Sequence, residues 1–240
     1  MFTQFIFVIF PYIAMAVFVV GCFQRYFSRS FQVSSLSSQF LEGKTLFWGS
    51  VPFHFGLLVV LLGHLMALFF PKTLLLWNQI PVRLIMLELT GFIFGISLLG
   101  GLVALLIRRF TNDRVRVVTT RMDLVIEGLL LVQVVLGCYT ALIYRWGSSW
   151  GAANLTPYIR SLFLLRPDAS VVTAMPLVIQ LHIVGAFIIL LLFPYTRLVH
   201  LLVAPFHYFS RPYQQVIWNW NRKTIRDPNT PWSEQRPKNN

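Results

Sequence analysis

Apolar residues fall in five long runs separated by short polar segments. The runs extend over Phe5–Cys22, Val51–Phe70, Met86–Ile107, Asp123–Ile143 and Leu177–Val203. About 20 apolar residues in a helix cross a hydrocarbon layer of about 30 Å. Backbone polar groups inside lipid are satisfied only by helices or closed barrels. The pattern therefore predicts an all-α membrane protein with five transmembrane helices. The first run has no basic residue ahead of it and no small-residue cleavage site, so a retained helix is expected rather than a secretion signal.

Composition agrees with a bilayer. Of the 240 residues 56% are hydrophobic and only 12% charged, with a mean hydropathy of +0.67, where a soluble domain carries about a quarter charged residues. The net charge of +12 is arranged along the chain rather than clustered. Segments outside or flanking the runs hold three, two, five, three and seven of the 20 Lys and Arg residues in order. Cytoplasmic loops keep the basic residues, which predicts an amino terminus outside and a carboxyl terminus in the cytoplasm of a multi-pass inner-membrane protein. The charge is topological and implies no nucleic acid. Residues 1–207 form the expected membrane domain. Residues 208–240 form a polar cytoplasmic tail, broken by Pro212, Pro228, Pro231 and Pro237 and suited to docking on partner subunits. Cys22 and Cys138 show no CxxC or CxxCH pattern, which excludes c-type haem attachment and a zinc ribbon. Trp146, Trp150 and Tyr158, between the fourth and fifth runs, read as an interfacial aromatic belt.

Four of the five histidines lie inside runs: His54 and His64 on the second, His182 and His200 on the fifth; His207 falls in the polar exit and is read as non-ligating. Ionisable groups at membrane depth are costly and usually functional. Opposite helix directions pair His54 with His200 near the inner face and His64 with His182 near the outer. That is the pattern two b-type haems need for axial ligation, one towards each leaflet. The spacing fits imperfectly. His182 and His200 stand eighteen residues apart on one face, about 27 Å along a straight helix, whereas His54 and His64 span about 15 Å and diverge by about 80°. Helix tilt, inclined ring planes and a kink at Pro194 are expected to absorb the difference. Gly56, Gly63 and Gly185 lie near ligand positions, where they suit either a flat macrocycle or helix packing.

Several blocks resemble the gamma subunit of respiratory nitrate reductases, and the likeness covers most of the chain. They are PYIAMAVFVVG at Pro11–Gly21, SSQFLE at Ser37–Glu42, FHFGLLVVLLGH at Phe53–His64 and RVRVVTT at Arg114–Thr120. QLHIVGAFIILLLFPYTRLVH at Gln180–His200 and APFHYFSRPYQ at Ala204–Gln214 complete them. The resemblance implies a membrane anchor with two haem b groups that oxidises quinol. The distal, outer haem takes His64 and His182; the proximal, inner one takes His54 and His200. Gly63 and His64 match residues beside the quinol pocket. The implied partners lie on the cytoplasmic side: an iron–sulfur (beta) subunit and a molybdenum catalytic (alpha) subunit, where the oxyanion chemistry occurs. A Lys near the start of the third helix contacts quinol in the family. Arg83 is the nearest base here, and an Arg does not titrate as Lys does.

Two acids fall within runs. Glu88 is expected to pair with Arg83 or to accept a proton from quinol, and Glu127 to bridge to the Arg108–Arg121 loop. That loop also suits haem propionates, because Arg matches carboxylates in a fork. Alternatives remain open on sequence grounds. The same anchor serves a nitrite oxidoreductase or another molybdenum oxidoreductase. A histidine-lined metal or proton transporter would want acids at mid-membrane and, in many folds, internal repeats. An intramembrane metallohydrolase would want a motif such as HExxH. Neither acids at that depth, nor repeats, nor that motif occur.

Overall fold

The structure is a computed structural model that describes residues 1–28, 33 and 38–203. Residues 204–240, and with them the docking tail and His207, lie outside the described residues, as does most of the Ser-rich connector after the first helix. Five helices are long and apolar enough to cross a membrane: α1 (Phe2–Ser28), α2 (Lys44–Phe69), α3 (Pro81–Thr111), α4 (Arg121–Ile143) and α5 (Leu177–Leu192). Much of each outward face is apolar and exposed, Phe55, Leu58 and Leu62 on α2 among them. Lipid suits such a surface and water does not.

The helices pack in series, α2 on α3, α3 on α4, α4 on α5 and α5 on α1. Without a hydrophobic drive inside lipid, close approach rests on small residues. The α2–α3 seam shows how. A Cβ on Gly101 would stand 2.5 Å from the Phe53 nitrogen and 2.7 Å from the Gly49 oxygen, and one on Gly56 would stand 2.6 Å from the Phe94 oxygen. Around these contacts Phe53, Leu98 and Leu102 form a buried core. The other end of the bundle is filled by Phe7, Tyr158, Leu162, Val172, Ile179 and Ile183.

Tyr158 departs from the belt expected of it. It is buried, and its hydroxyl donates to the Phe7 carbonyl at 2.8 Å, inside a π-helical turn of α1 at Phe5–Ile9. A π turn frees backbone carbonyls, and this hydroxyl meets one of them. Burial pushes the Tyr158 phenol up from its ordinary range. Arg160, from the same connection, donates to the Leu68 and Phe69 carbonyls where α2 ends.

α5 is shorter than the sequence run. It ends at Leu192 and gives way to a 3-10 turn at Phe193–Tyr195, an extended Thr196 and a second 3-10 segment at Arg197–Val203. Pro194 has no N–H to continue the helix. Beyond the break, Arg25 of α1 takes up two backbone carbonyls: its Nη1 donates to Pro194 O at 2.6 Å and Thr196 O at 2.8 Å. Gly21 lets α1 come this close, since a Cβ there would lie 2.8 Å from the Pro194 ring.

At the end opposite the amino terminus, Arg108 of α3 is buried and clasps the segment before α2. It bonds Glu42 Oε2 at 2.6 Å, the Glu42 carbonyl at 2.7 Å and Ser38 Oγ at 3.0 Å. Glu42 also accepts the Thr45 and Leu46 N–H groups at the start of α2. These backbone bonds, with Arg108 beside them, hold its carboxyl down at about 2 against an ordinary 4.5. A carboxyl depressed on folding stabilises fully above its unfolded value and loses that contribution as pH falls through the folded one. Acidification from about 4.5 to about 2 should therefore lower the thermal stability of the detergent-solubilised protein, and Glu42→Gln should flatten the curve in that window. A second test separates packing glycines from idle ones. Gly101→Ala should destabilise by about 1–3 kcal/mol. The neighbouring Gly100, whose Cβ would meet nothing within 4 Å, should accept Ala with a gain of up to about 1 kcal/mol.

Candidate functional site

The two histidine pairs expected from charge and direction are both formed. His54 and His200 have ring centres 6.4 Å apart with planes at 63°, and His64 and His182 have ring centres 6.4 Å apart with planes at 38°. The second pair lies towards the end that holds the amino terminus, the first towards the end that holds Glu42 and Arg108. His200 sits on the 3-10 segment and not on α5, so the five-turn alignment of His182 and His200 does not apply.

Hydrogen bonds fix the tautomers of three of the four rings. A carbonyl can only accept, so a ring nitrogen facing one must carry the proton. Nδ1 donates to Ser50 O at 2.7 Å in His54, to Val60 O at 2.7 Å in His64 and to Arg197 O at 2.6 Å in His200. In the neutral ring this tautomer leaves the lone pair on Nε2, the form that binds metals. No hydrogen bond joins either pair among the described residues. An iron held between two imidazole nitrogens at about 2 Å each puts the ring centres about 6 Å apart. Both pairs have their ring centres at about that separation, and His182 Nε2 stands 3.4 Å from Gln133 Nε2. Among the described residues no three His, Cys, Asp or Glu side chains gather into a metal-holding group.

The glycines near these rings divide by role. Gly56 belongs to the α2–α3 seam. Gly63, next to His64, would carry a Cβ that meets no protein atom within 4 Å. A helix-interior glycine costs about 1 kcal/mol relative to Ala, and among the described residues no close helix accounts for this one. Gly185 accommodates the amide of Gln133, whose Oε1 a Cβ would strike, and Gly137 of α4 accommodates the His182 ring, 3.1 Å from where its Cβ would be. Gln133 and Gly137 were not among the expected residues. The signal for Gln133 was a lone amide inside the apolar run LLLVQVVLG at Leu129–Gly137.

The acids and arginines settle differently. Glu88 does not pair with Arg83; it accepts from Ser148, N–H at 2.8 Å and Oγ at 2.6 Å. Five residues of helix turn the two side chains about 140° apart. The Arg83 guanidinium lies over the Trp77 ring, 4.9 Å from its centre, and makes no hydrogen bond to His64 or Gly63 among the described residues. Glu127 takes the expected bridge, to Arg109 at 2.5 Å. Asp123 binds Arg197 at 2.7 Å. Arg108 and Arg109 are thus both engaged by carboxylates of the chain itself. Cys22 and Cys138 are free thiols within spans.

Fold and site together define a membrane-spanning helical protein carrying two cross-helix imidazole pairs, one towards each end. The family model for the nitrate reductase gamma subunit matches residues 3–219, and the chain belongs to that family. It is 36% identical over 213 residues to the respiratory nitrate reductase 2 gamma chain of Escherichia coli (strain K12), covering 87% of this chain and 93% of that one. It is 34% identical over 219 residues to the respiratory nitrate reductase 1 gamma chain of the same strain, covering 89% and 96%. It is 33% identical over 208 residues to the nitrate reductase gamma chain of Bacillus subtilis (strain 168), covering 85% and 93%.

The position of His200 depends on carbonyls capped from α1, which is open to test. Arg25→Met keeps the length of the side chain and removes both hydrogen bonds. It should cost about 1–3 kcal/mol for the carbonyls left behind. Hydrogen exchange should speed up across 193–200 and stay unchanged in the first turns of α5.

Proposed function

We propose that this chain is the membrane anchor and quinol-oxidising cytochrome b subunit of a respiratory nitrate reductase. The observation that carries this reading is the equal 6.4 Å separation of the two imidazole pairs. His54 and His200 hold one haem b, and His64 and His182 hold the other. When bound, the two groups supply one-electron carriers spaced across the bilayer.

The chain's own residues do the rest. The Ser50, Val60 and Arg197 carbonyls lock three imidazoles in the metal-binding tautomer and so raise their basicity. Gly63 keeps the surface beside His64 open for quinol. Arg83, at the same end of the bundle, is the cation available to donate a hydrogen bond to a quinol oxygen, and turning from Trp77 would bring its guanidinium towards that site. Glu88 anchors the connection after α4 through Ser148 and thereby shapes the rim.

With the amino terminus outside, the His64–His182 pair is distal and quinol is oxidised near the outer face. The His54–His200 pair then lies next to the cytoplasm. There the polar tail docks the iron–sulfur subunit, which passes electrons to the molybdenum subunit that reduces nitrate.

The test uses the intact complex. A dithionite-reduced spectrum should show two b-type signals, and quinol alone should reduce them. His64→Ala should remove one haem and abolish quinol-driven reduction, while His200→Ala should remove the other. Absence of porphyrin from the purified wild-type complex, or haems that dithionite reduces and quinol does not, would overturn the proposal.

A further inference from the structure

The three imidazoles that donate to backbone carbonyls are not held alike. His54 and His64 lie inside α2 and donate to carbonyls one turn back, Ser50 O and Val60 O. One long α-helix thus carries both donor and acceptor. His200 lies on the 3-10 segment Arg197–Val203 beyond the Pro194 break, and its acceptor is Arg197 O at 2.6 Å. Hydrogen-bond geometry in a 3-10 run is poorer than in an α-helix. The plane of this ring therefore depends on what holds residue 197.

The Arg197 side chain supplies that hold from another helix. Its Nε stands 2.7 Å from Asp123 Oδ1, and its Nη2 donates to Asp123 Oδ2 at 2.8 Å, a two-pronged fit. Nη2 also donates to Val118 O at 3.2 Å, just ahead of α4. Asp123 is itself fixed. It is buried, its Oδ2 accepts the Thr120 N–H at 2.9 Å, and Thr120 Oγ1 accepts the Asp123 N–H at 3.2 Å. That capping box starts α4. Arg109 lies 3.5 Å from Asp123 and bridges to Glu127, so two arginines and two carboxylates balance in charge. A partly buried ion pair adds little net stability over apolar packing. What this one does is fix the register of the 3-10 segment against α4.

We propose that Arg197, clamped by Asp123, is the positioning residue of His200: its side chain fixes the segment, and its own carbonyl sets the plane and tautomer of the ring. The inference rests on the reading above, in which His54 and His200 hold the proximal haem. A fixed acceptor on Nδ1–H orients a ligating imidazole and tunes the metal it binds. α4 carries no histidine, yet through Asp123 it governs the proximal ligand and leaves the distal pair alone.

The experiment is a redox titration of the intact complex with low-temperature paramagnetic resonance of both ferric haems. It compares wild type with Asp123→Asn, Arg197→Gln and the double variant Asp123→Leu/Arg197→Met. Charge alone would raise the proximal midpoint when Asp123 is neutralised and lower it when Arg197 is, and would leave the balanced double variant as wild type. Lost positioning moves the proximal low-spin ferric signal in all three, the double variant included, while the distal signal stays in place. That second pattern is expected. Arg197→Lys keeps the charge and loses the fork; it should move the proximal signal by less, and it carries the test by itself if the others do not assemble. A wild-type proximal signal in the double variant, or in Arg197→Lys where that variant alone assembles, would overturn the assignment, as would equal movement at both haems. A wild-type complex without two b-type haems would instead sink the haem reading on which it stands.

Discussion

Hydrocarbon offers no partner to a polar atom, and the arrangement of this chain follows from that one constraint. Five helices satisfy their backbones internally. At three places where a backbone departs from the α pattern, a side chain arrives from elsewhere to meet a backbone carbonyl. Arg25 meets the carbonyls at the Pro194 break, Tyr158 meets one in the π turn of α1, and Arg160 meets those where α2 ends. The same constraint governs the imidazoles. Three donate their Nδ1–H to carbonyls of their own segments.

Most of the architecture was legible in the amino-acid order because length and apolarity are local properties. So was the pairing of histidines, since alternating helix directions follow from counting runs. What could not be read was anything that depends on contact between distant segments. The break after Leu192 was foreseen only as a kink at Pro194. Its extent depends on Arg25, which stands 169 residues from Pro194 in the chain. Tyr158 looks like a boundary aromatic by position and is a core residue by contact. Arg83 and Glu88 look like an ion pair by proximity, but helix rotation sends them to Trp77 and Ser148.

The glycines carry a similar lesson. Gly56 and Gly63 sit on one helix with the same neighbours in composition, yet one is pressed against the α3 backbone and the other faces open space. Sequence alone left each equally suited to packing or to a cofactor. Distance to the nearest atom assigns Gly56 to packing. It also brings in Gln133 and Gly137, two residues of a helix that seemed to contribute nothing to the site.

The partners of α1 lie late in the chain. Tyr12 bonds the carbonyl of Leu162, Phe7 is met by Tyr158, and Arg25 waits for Pro194 and Thr196, separations of 150, 151, 169 and 171 residues. A ribosome releases the amino-terminal end first, so α1 is made well before these late partners. Docking of α1 is thus a terminal event in biogenesis, and truncation anywhere before Thr196 would leave α1 incompletely anchored, a ready substrate for membrane quality control.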